Sequence, residues 1–253
     1  MEYLIDEVLE TQSPKLIILD ARKFVLTENN KWKDDRFEQL VNSLNYSENR
    51  RKIIDRFIKD EEERTYWYFD ILQYRDNWES LPDDAEEYAD NKRISELKGW
   101  ANNVAVKEIS EIDVSDIEGE VPLSEAAEEC LRNLMDKCKK EDIENLFLAT
   151  PWKGNDDYQR ESNYMKRIVE EEGFAYLDMN PLVDEIGIDC STDFYNTRHV
   201  NSFGAKKVTA YLSKYLKENY TFTSEHSDEV KSSWDMAYQI SEEKLARMTD
   251  GNK

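Results

Sequence analysis

Three short, unbroken apolar runs limit this fold more than any other feature. They are Lys15–Leu16–Ile17–Ile18–Leu19, Leu146–Phe147–Leu148–Ala149 and, after Gly173, Phe174–Ala175–Tyr176–Leu177. A strand with one wet face alternates apolar and polar residues. A continuous apolar run has no wet face and belongs in a parallel sheet covered on both sides. The first run is therefore predicted to be a strand buried on both faces, and the second ends at Thr150–Pro151.

Helical patterns fill the spaces between these runs. Leu123, Ala126, Ala127, Cys130, Leu131, Leu134, Met135 and Cys138 recur at helical spacing ahead of the second run. Pro122 opens that pattern, and Glu125, Glu128 and Glu129 load its first turns, where the helix dipole favours acids. A second helix is predicted from Asp157 to Glu171, and a short one from Pro181 to Ile186. Another starts near Ser202 with Ala205, Val208, Leu212, Tyr215 and Leu216 on its inner face. Strands alternating with helices across 123–217 describe an α/β doubly wound fold.

The ends and the middle differ. Residues 2–11 read as a helix with Leu4, Ile5, Val8 and Leu9 on one face. Residues 34–100 read as a helical insertion after the first strand, rich in aromatics at Tyr66–Trp67–Tyr68–Phe69 and Trp78. Twelve acids against two bases from Asp60 to Asp90 describe a solvated face, with a partner-binding acidic surface as the alternative. Residues 227–253 read as a further helix and tail, with Val230, Trp234, Ala237, Tyr238, Ile240 and Leu245 as docking residues.

Charge narrows the function classes. The 253 residues carry 56 acids and 34 bases, a formal charge of -22. Such a chain is not built to neutralise phosphates, so nucleic acid is excluded as a partner, and so is an anionic lipid surface. Hydrophobic content is only 39%, yet six Trp, fourteen Tyr and nine Phe are too many for a disordered chain. No apolar run reaches the ~18 residues of a membrane span. The acidic, amphipathic start MEYLIDEVLE does not read as a signal peptide.

Cys130, Cys138 and Cys190 have no zinc or disulfide spacing. The acids form no metal-binding motif, and seven glycines leave no Gly-rich phosphate loop, so no cofactor is implied.

Histidine is scarce, only His199 and His226, and one lies in the most distinctive segment of the chain. That segment runs from Asp193 to Ala205 and places His199 in a polar loop just before a helix, downstream of a sheet strand. Ligand sites of open α/β sheets gather at the carboxyl ends of the strands. A lone loop histidine is also commonly a surface or packing residue. Ser202 reads as the helix N-cap.

The stretch 193–216, DFYNTRHVNSFGAKKVTAYLSKYL, resembles the last sequence block of SGNH/GDSL-type hydrolases. It is most similar to a bacterial envelope-associated branch with the pattern DFY-x3-HxN-x2-GA-x-K-x-T-x-YL-x2-YL. LFLATPW, residues 158–163, AYLDMN and IGID resemble that branch's fourth strand, following helix and fifth strand. KLIILDARKF resembles its third strand, YRDNWESL and KGW its helical insertion, and DEVKSSWDMAY its tail. Only the histidine block is specific.

The resemblance implies a three-layer, flavodoxin-like parallel sheet of the SGNH-hydrolase type over residues 1–226, N-terminally incomplete, with 227–253 appended. It also implies ester hydrolysis or acyl/acetyl transfer, on acyl esters that include those of cell-envelope polysaccharide. His199 would be the general base toward a Ser nucleophile.

The family commonly has an Asp three residues before its His, where this chain has Asn196. An amide can orient the ring but cannot stabilise the imidazolium, a loss on the order of 10⁴ in turnover in a serine protease. Asp193, six residues upstream, could substitute if the loop folds suitably.

The family's Ser block and oxyanion glycine block precede the region where this sequence starts, and the Asn expected after the first strand is replaced by Asp20–Ala21–Arg22–Lys23. Arg22 is either an oxyanion-stabilising charge or half of a surface ion pair, the commoner use. Ser13, Ser43, Ser47, Ser191 and Ser202 lie in no nucleophile elbow. Cys190 reads as a buried, inert thiol rather than a nucleophile.

The alternative reading is a non-catalytic binding or assembly module of the same fold. A sheet lacking its first two strands would expose an apolar edge, which predicts marginal stability or a dimer through that edge. Localisation follows the same question: cell envelope if an N-terminal anchor precedes this chain, cytoplasm otherwise.

Overall fold

The computed structural model describes residues 2–25, 34–69, 72, 96–222 and 225–250. In chain order these form α1 (Glu2–Leu9), β1 (Leu16–Asp20), α2 (Arg22–Val25), α3 (Asp34–Ser43), α4 (Glu48–Phe57) and α5 (Glu61–Tyr68). Then come α6 (Glu125–Lys140), β2 (Glu144–Ala149), α7 (Asp156–Glu171) and β3 (Ala175–Asp178). A 3-10 turn (Asn180–Leu182) and α8 (Val183–Ile186) follow. The chain ends with β4 (Phe194–Asn196), β5 (His199–Val200), α9 (Ser202–Asn219) and α10 (Asp228–Asp250). Trp78, YRDNWESL and most of the acidic run predicted as a solvated face lie outside the described residues.

The three apolar runs form one three-stranded parallel sheet in the order β1-β2-β3, and the protein is α/β. β2 lies in the middle, and Asn145 to Ala149 are all buried. β1 departs from expectation. Among the described residues it is one of the two outer strands rather than one buried on both faces, and Ile18 is 40% exposed. An outer strand has a neighbour on one side only, so the same Leu/Ile composition ends half-wet.

Two compact units make up the chain. The first contains residues 1–92, 123–146 and 168–175. One core cluster in it is Phe37, Val41, Ile53 and Ile54, with Trp67 edge-on to Phe37 at 4.9 Å. Ser47 caps α4 by accepting the Arg50 N–H at 3.0 Å, while its hydroxyl donates to Glu7 of α1 at 2.7 Å. One side chain thus starts a helix and ties it to another. Ser124 caps α6 in the same way, through the Ala127 N–H at 3.3 Å. Most of the stripe predicted on α6 is its buried face, Ala127, Leu131, Leu134, Met135 and Cys138, whereas Ala126 is exposed and Cys130 half-buried. Lys137 of α6 pairs with Asp6 of α1.

The second unit contains residues 93–122, 147–167 and 176–253. One core cluster in it is Ile109, Ile112 and Phe194, packed by Val114, Val183, Ile188, Cys190 and Val200. The segment from Asn103 to Ile109 has no regular structure of its own, yet its backbone is tied down at alternate residues. Lys107 N–H donates to Phe194 O at 2.8 Å and Ile109 N–H to Cys190 O at 3.0 Å.

α10 forms where the periodicity places it and docks through only some of the six predicted residues. Ala237 and Leu245 are buried, whereas Val230, Trp234 and Tyr238 are 42%, 60% and 64% exposed. Ala237, Ser241 and Leu245 follow i, i+4, i+8 spacing along one stripe, and Trp234 and Tyr238 lie only about 40° round the helix from it. Asn102 holds the helix by donating to Ser241 O at 2.9 Å and accepting from the Ser241 hydroxyl at 3.2 Å.

Candidate functional site

The second unit gathers the ends of β2 and β3 and the histidine loop. Past β2, Trp152 N–H donates to the Asn180 carboxamide oxygen at 3.0 Å and Lys153 N–H to Thr197 O at 2.7 Å. Past β3, Asp178 accepts from Gln159 at 2.8 Å, from Ser162 at 2.9 Å and from Asn180 N–H at 3.0 Å. These bonds lock the β2 and β3 exits to each other and to the His199 hairpin. A shallow concavity lies at the same exits, lined by Asp113, Trp152, Lys153, Tyr158, Gln159 and Asn180 among others.

His199 sits on a two-stranded antiparallel hairpin, β4 with β5, and is exposed. Asn196 pairs with His199, and the Asn196 carboxamide oxygen lies 2.9 Å from His199 Nδ1. The same oxygen accepts the backbone N–H of Arg198 at 2.8 Å. This second bond settles the chemistry of the first. A backbone N–H only donates, so the atom facing both partners is the amide oxygen and not its NH2 group. An oxygen accepts, so Nδ1 of His199 must carry the proton. In the neutral imidazole Nε2 then carries the lone pair, the protonation pattern a general base needs. The local device is an Asx turn, Asn196 to Arg198, which any Asn followed by polar turn residues favours. Tyr195 stacks on the imidazole with centroids 5.4 Å apart and 15° between planes.

Asp193 is placed elsewhere. It is buried, and its carboxylate accepts from Lys207 Nζ at 2.6 Å, Asp189 N–H at 2.8 Å and the Thr192 hydroxyl at 3.4 Å. Among the described residues no bond links Asp193 to His199. The structure therefore brings Asn196 to His199 and gives Asp193 to Lys207. Asp189 in the same turn has its carboxyl held below the usual carboxylate range, first by the Ser191 hydroxyl and then by the Ser191 N–H.

The helix cap after the hairpin is Asn201, not the predicted Ser202. The Asn201 oxygen accepts from Phe203 N–H at 3.0 Å and Gly204 N–H at 3.1 Å. Its NH2 group donates to Thr192 O at 2.7 Å and Ala105 O at 3.2 Å. Ser202 sits one position later, where its hydroxyl accepts Asn103 N–H at 2.8 Å. Asn wins the cap because it can accept and donate at once, which a buried junction of three segments demands.

The other candidates have local duties. Arg22 is held by Asp20, Nε to Oδ1 at 3.0 Å and Nη2 to Oδ2 at 3.2 Å, which is the ion-pair reading. The hydroxyls of Ser43 and Ser191 donate to Leu40 O and to Asp189. Cys190 packs against the Phe194 cluster. Among the described residues no group of three or more His, Cys, Asp or Glu could hold a metal ion, and no helix is long and apolar enough to cross a membrane.

Compared with protein-family models, curated proteins and solved structures, the chain matches none.

Residues not singled out for a role beforehand complete the site. Tyr195, Asn201, Gly204 and Lys207 all fall inside the distinctive segment. Only the Asn-x-x-Gly spacing before an apolar helix signalled one of them, the cap.

Proposed function

We propose that this chain carries the general-base part of an SGNH/GDSL-type site for acyl esters, acting as an esterase or acyl/acetyltransferase. Esters of cell-envelope polysaccharide belong to its substrate class by resemblance. The observation that supports the reading is the Arg198–Asn196–His199 relay, which leaves the lone pair of His199 on Nε2. From there His199 can take the proton of a serine hydroxyl or a water as the new bond to the ester carbonyl forms. The Ser block is not in this sequence, so this chain alone is proposed to be inactive.

The test is an assay of the protein isolated from its source, with intact mass measured alongside. An expected mass well above 30.0 kDa should accompany hydrolysis of a short-chain aryl ester or an acetylated glycan, abolished by His199→Ala. A mass of 30.0 kDa with no turnover overturns the enzyme reading.

That second outcome would favour the non-catalytic binding module. Two observations support this alternative: an amide rather than a carboxylate faces His199, and Asp193 is engaged by Lys207. Under either reading β1, which has one strand neighbour among the described residues, is proposed to take a further strand from upstream sequence or from a second copy. Light scattering of this chain should then show a dimer or an unstable monomer, and a stable monomer would overturn the claim.

A further inference from the structure

We propose that Tyr195 is a positioning residue for His199, holding the imidazole in the orientation that keeps the proton on Nδ1. The inference rests on the assignment of His199 as base. It starts from the hairpin register. Phe194 pairs with Val200 and Asn196 with His199, so the pairing is irregular at Tyr195, which stands as the extra residue of a bulge.

In a regular strand Tyr195 would project opposite to Asn196, away from the face of His199. A bulge re-aims one side chain, and here the ring of Tyr195 ends stacked on the imidazole. The bulge is anchored on both sides. Phe194 is fully buried and its carbonyl accepts Lys107 N–H at 2.8 Å, and Asn196 is held by Arg198 N–H.

The stack supplies what the hydrogen bond lacks. His199 is exposed, so its bond to Asn196 competes with water. Neutral imidazole in water prefers the proton on Nε2, the opposite of the pattern here. One hydrogen bond fixes one point of the ring and leaves it free to swing. A nearly parallel aromatic face fixes its plane as well. Together they define a single ring orientation, in which Nδ1–H points at the Asn196 oxygen.

The experiment is long-range proton–nitrogen NMR of the imidazole rings in the full chain, above the pH where histidine titrates. There are two histidines, and a His226→Gln variant assigns them, so His226 serves as the internal reference. In the unmodified chain His199 should show the Nδ1–H pattern, with its ring protons displaced upfield of those of His226 by the stacked tyrosine. Tyr195→Leu should move His199 to predominantly Nε2–H and leave His226 unchanged. Tyr195→Phe, which keeps the ring, should retain Nδ1–H.

An unchanged Nδ1–H pattern in Tyr195→Leu overturns the role of Tyr195 and leaves the base assignment standing. An Nε2–H pattern in the unmodified chain overturns both. If Tyr195→Leu fails to fold, the absence of upfield displacement in the unmodified chain overturns the stack by itself, and retention of Nδ1–H by Tyr195→Phe supports it.

Discussion

The ammonium of Lys207 on α9 lies 2.6 Å from the carboxylate of Asp193, whose side chain is 3% exposed. The pair closes the loop that carries His199 onto the helix that follows it. A buried carboxylate that loses a cationic partner keeps its desolvation cost.

Lys207→Met keeps the aliphatic stem and removes the charge. We expect a loss of about 2 kcal/mol, the range for leaving a buried charged acceptor under-satisfied. The urea midpoint should fall with an unchanged slope. Adding Asp193→Asn should recover part of the loss. A double variant less stable than Lys207→Met would contradict the assignment.

Gly204 is required by contact rather than by backbone conformation. A Cβ there would stand 2.5 Å from Asp193 O, 2.9 Å from Asp193 Cβ and 3.0 Å from Val200 Cβ. The nearest of these is backbone and cannot rotate away. Gly204→Ala should cost about 3 kcal/mol, the upper part of the overpacking range. At Gly154 the nearest atom is the Tyr158 ring at 3.0 Å, a side chain that can shift, so Gly154→Ala should cost less. Thermal melts of the two variants rank the two glycines.

Asn201 both caps α9 and donates to two carbonyls from other segments. Asn201→Ala should cost more than the ~1 kcal/mol of a cap alone. Asn201→Asp separates the roles, since it retains the cap acceptor and replaces the donor with an oxygen facing the carbonyls of Ala105 and Thr192. If Asn201→Asp matched the parent in a denaturant titration, the donor role would be wrong.

Glu172 ties the end of α7 to α6. Its carboxyl is held below the usual carboxylate range, first by the Lys139 hydrogen bond and charge, then by Arg132. A depressed folded value means that the stability it adds is present above the unfolded value and is lost as pH falls through the lower folded one. Glu172→Gln should therefore lower the melting temperature near neutral pH and converge with the parent in acid. Its side chain is 36% exposed, so salt should shrink the difference. A gap that persists unchanged in acid would show that the pair is not its cause.

Local pattern carried a reader of this chain a long way. The continuous apolar runs of β2 and β3, the buried stripe of α6 and the start of α9 near Ser202 each depend on residues within a few positions of one another. Periodicity reports such neighbours directly.

The failures share one physical cause. Leu16–Leu19 is as apolar as the β2 run, and only strand order puts one at the rim and the other in the middle. Of the six docking residues predicted on α10, Ala237 and Leu245 are buried while Val230, Trp234 and Tyr238 stay exposed, and what the rest of the fold lays against the helix decides which. Ser202 and Asn201 are both good caps by type. The carbonyls of Ala105 and Thr192, brought in from distant sequence, favour the one that can donate. Asp193 and Asn196 are both within reach of His199 along the chain. Lys207, one helix later, claims the carboxylate, and the turn at Arg198 delivers the amide. Side-chain type and spacing set what each residue can do, and partners from elsewhere in the chain set which of those options is taken. Hydrogen-bond geometry and burial depend on groups that linear spacing does not bring together.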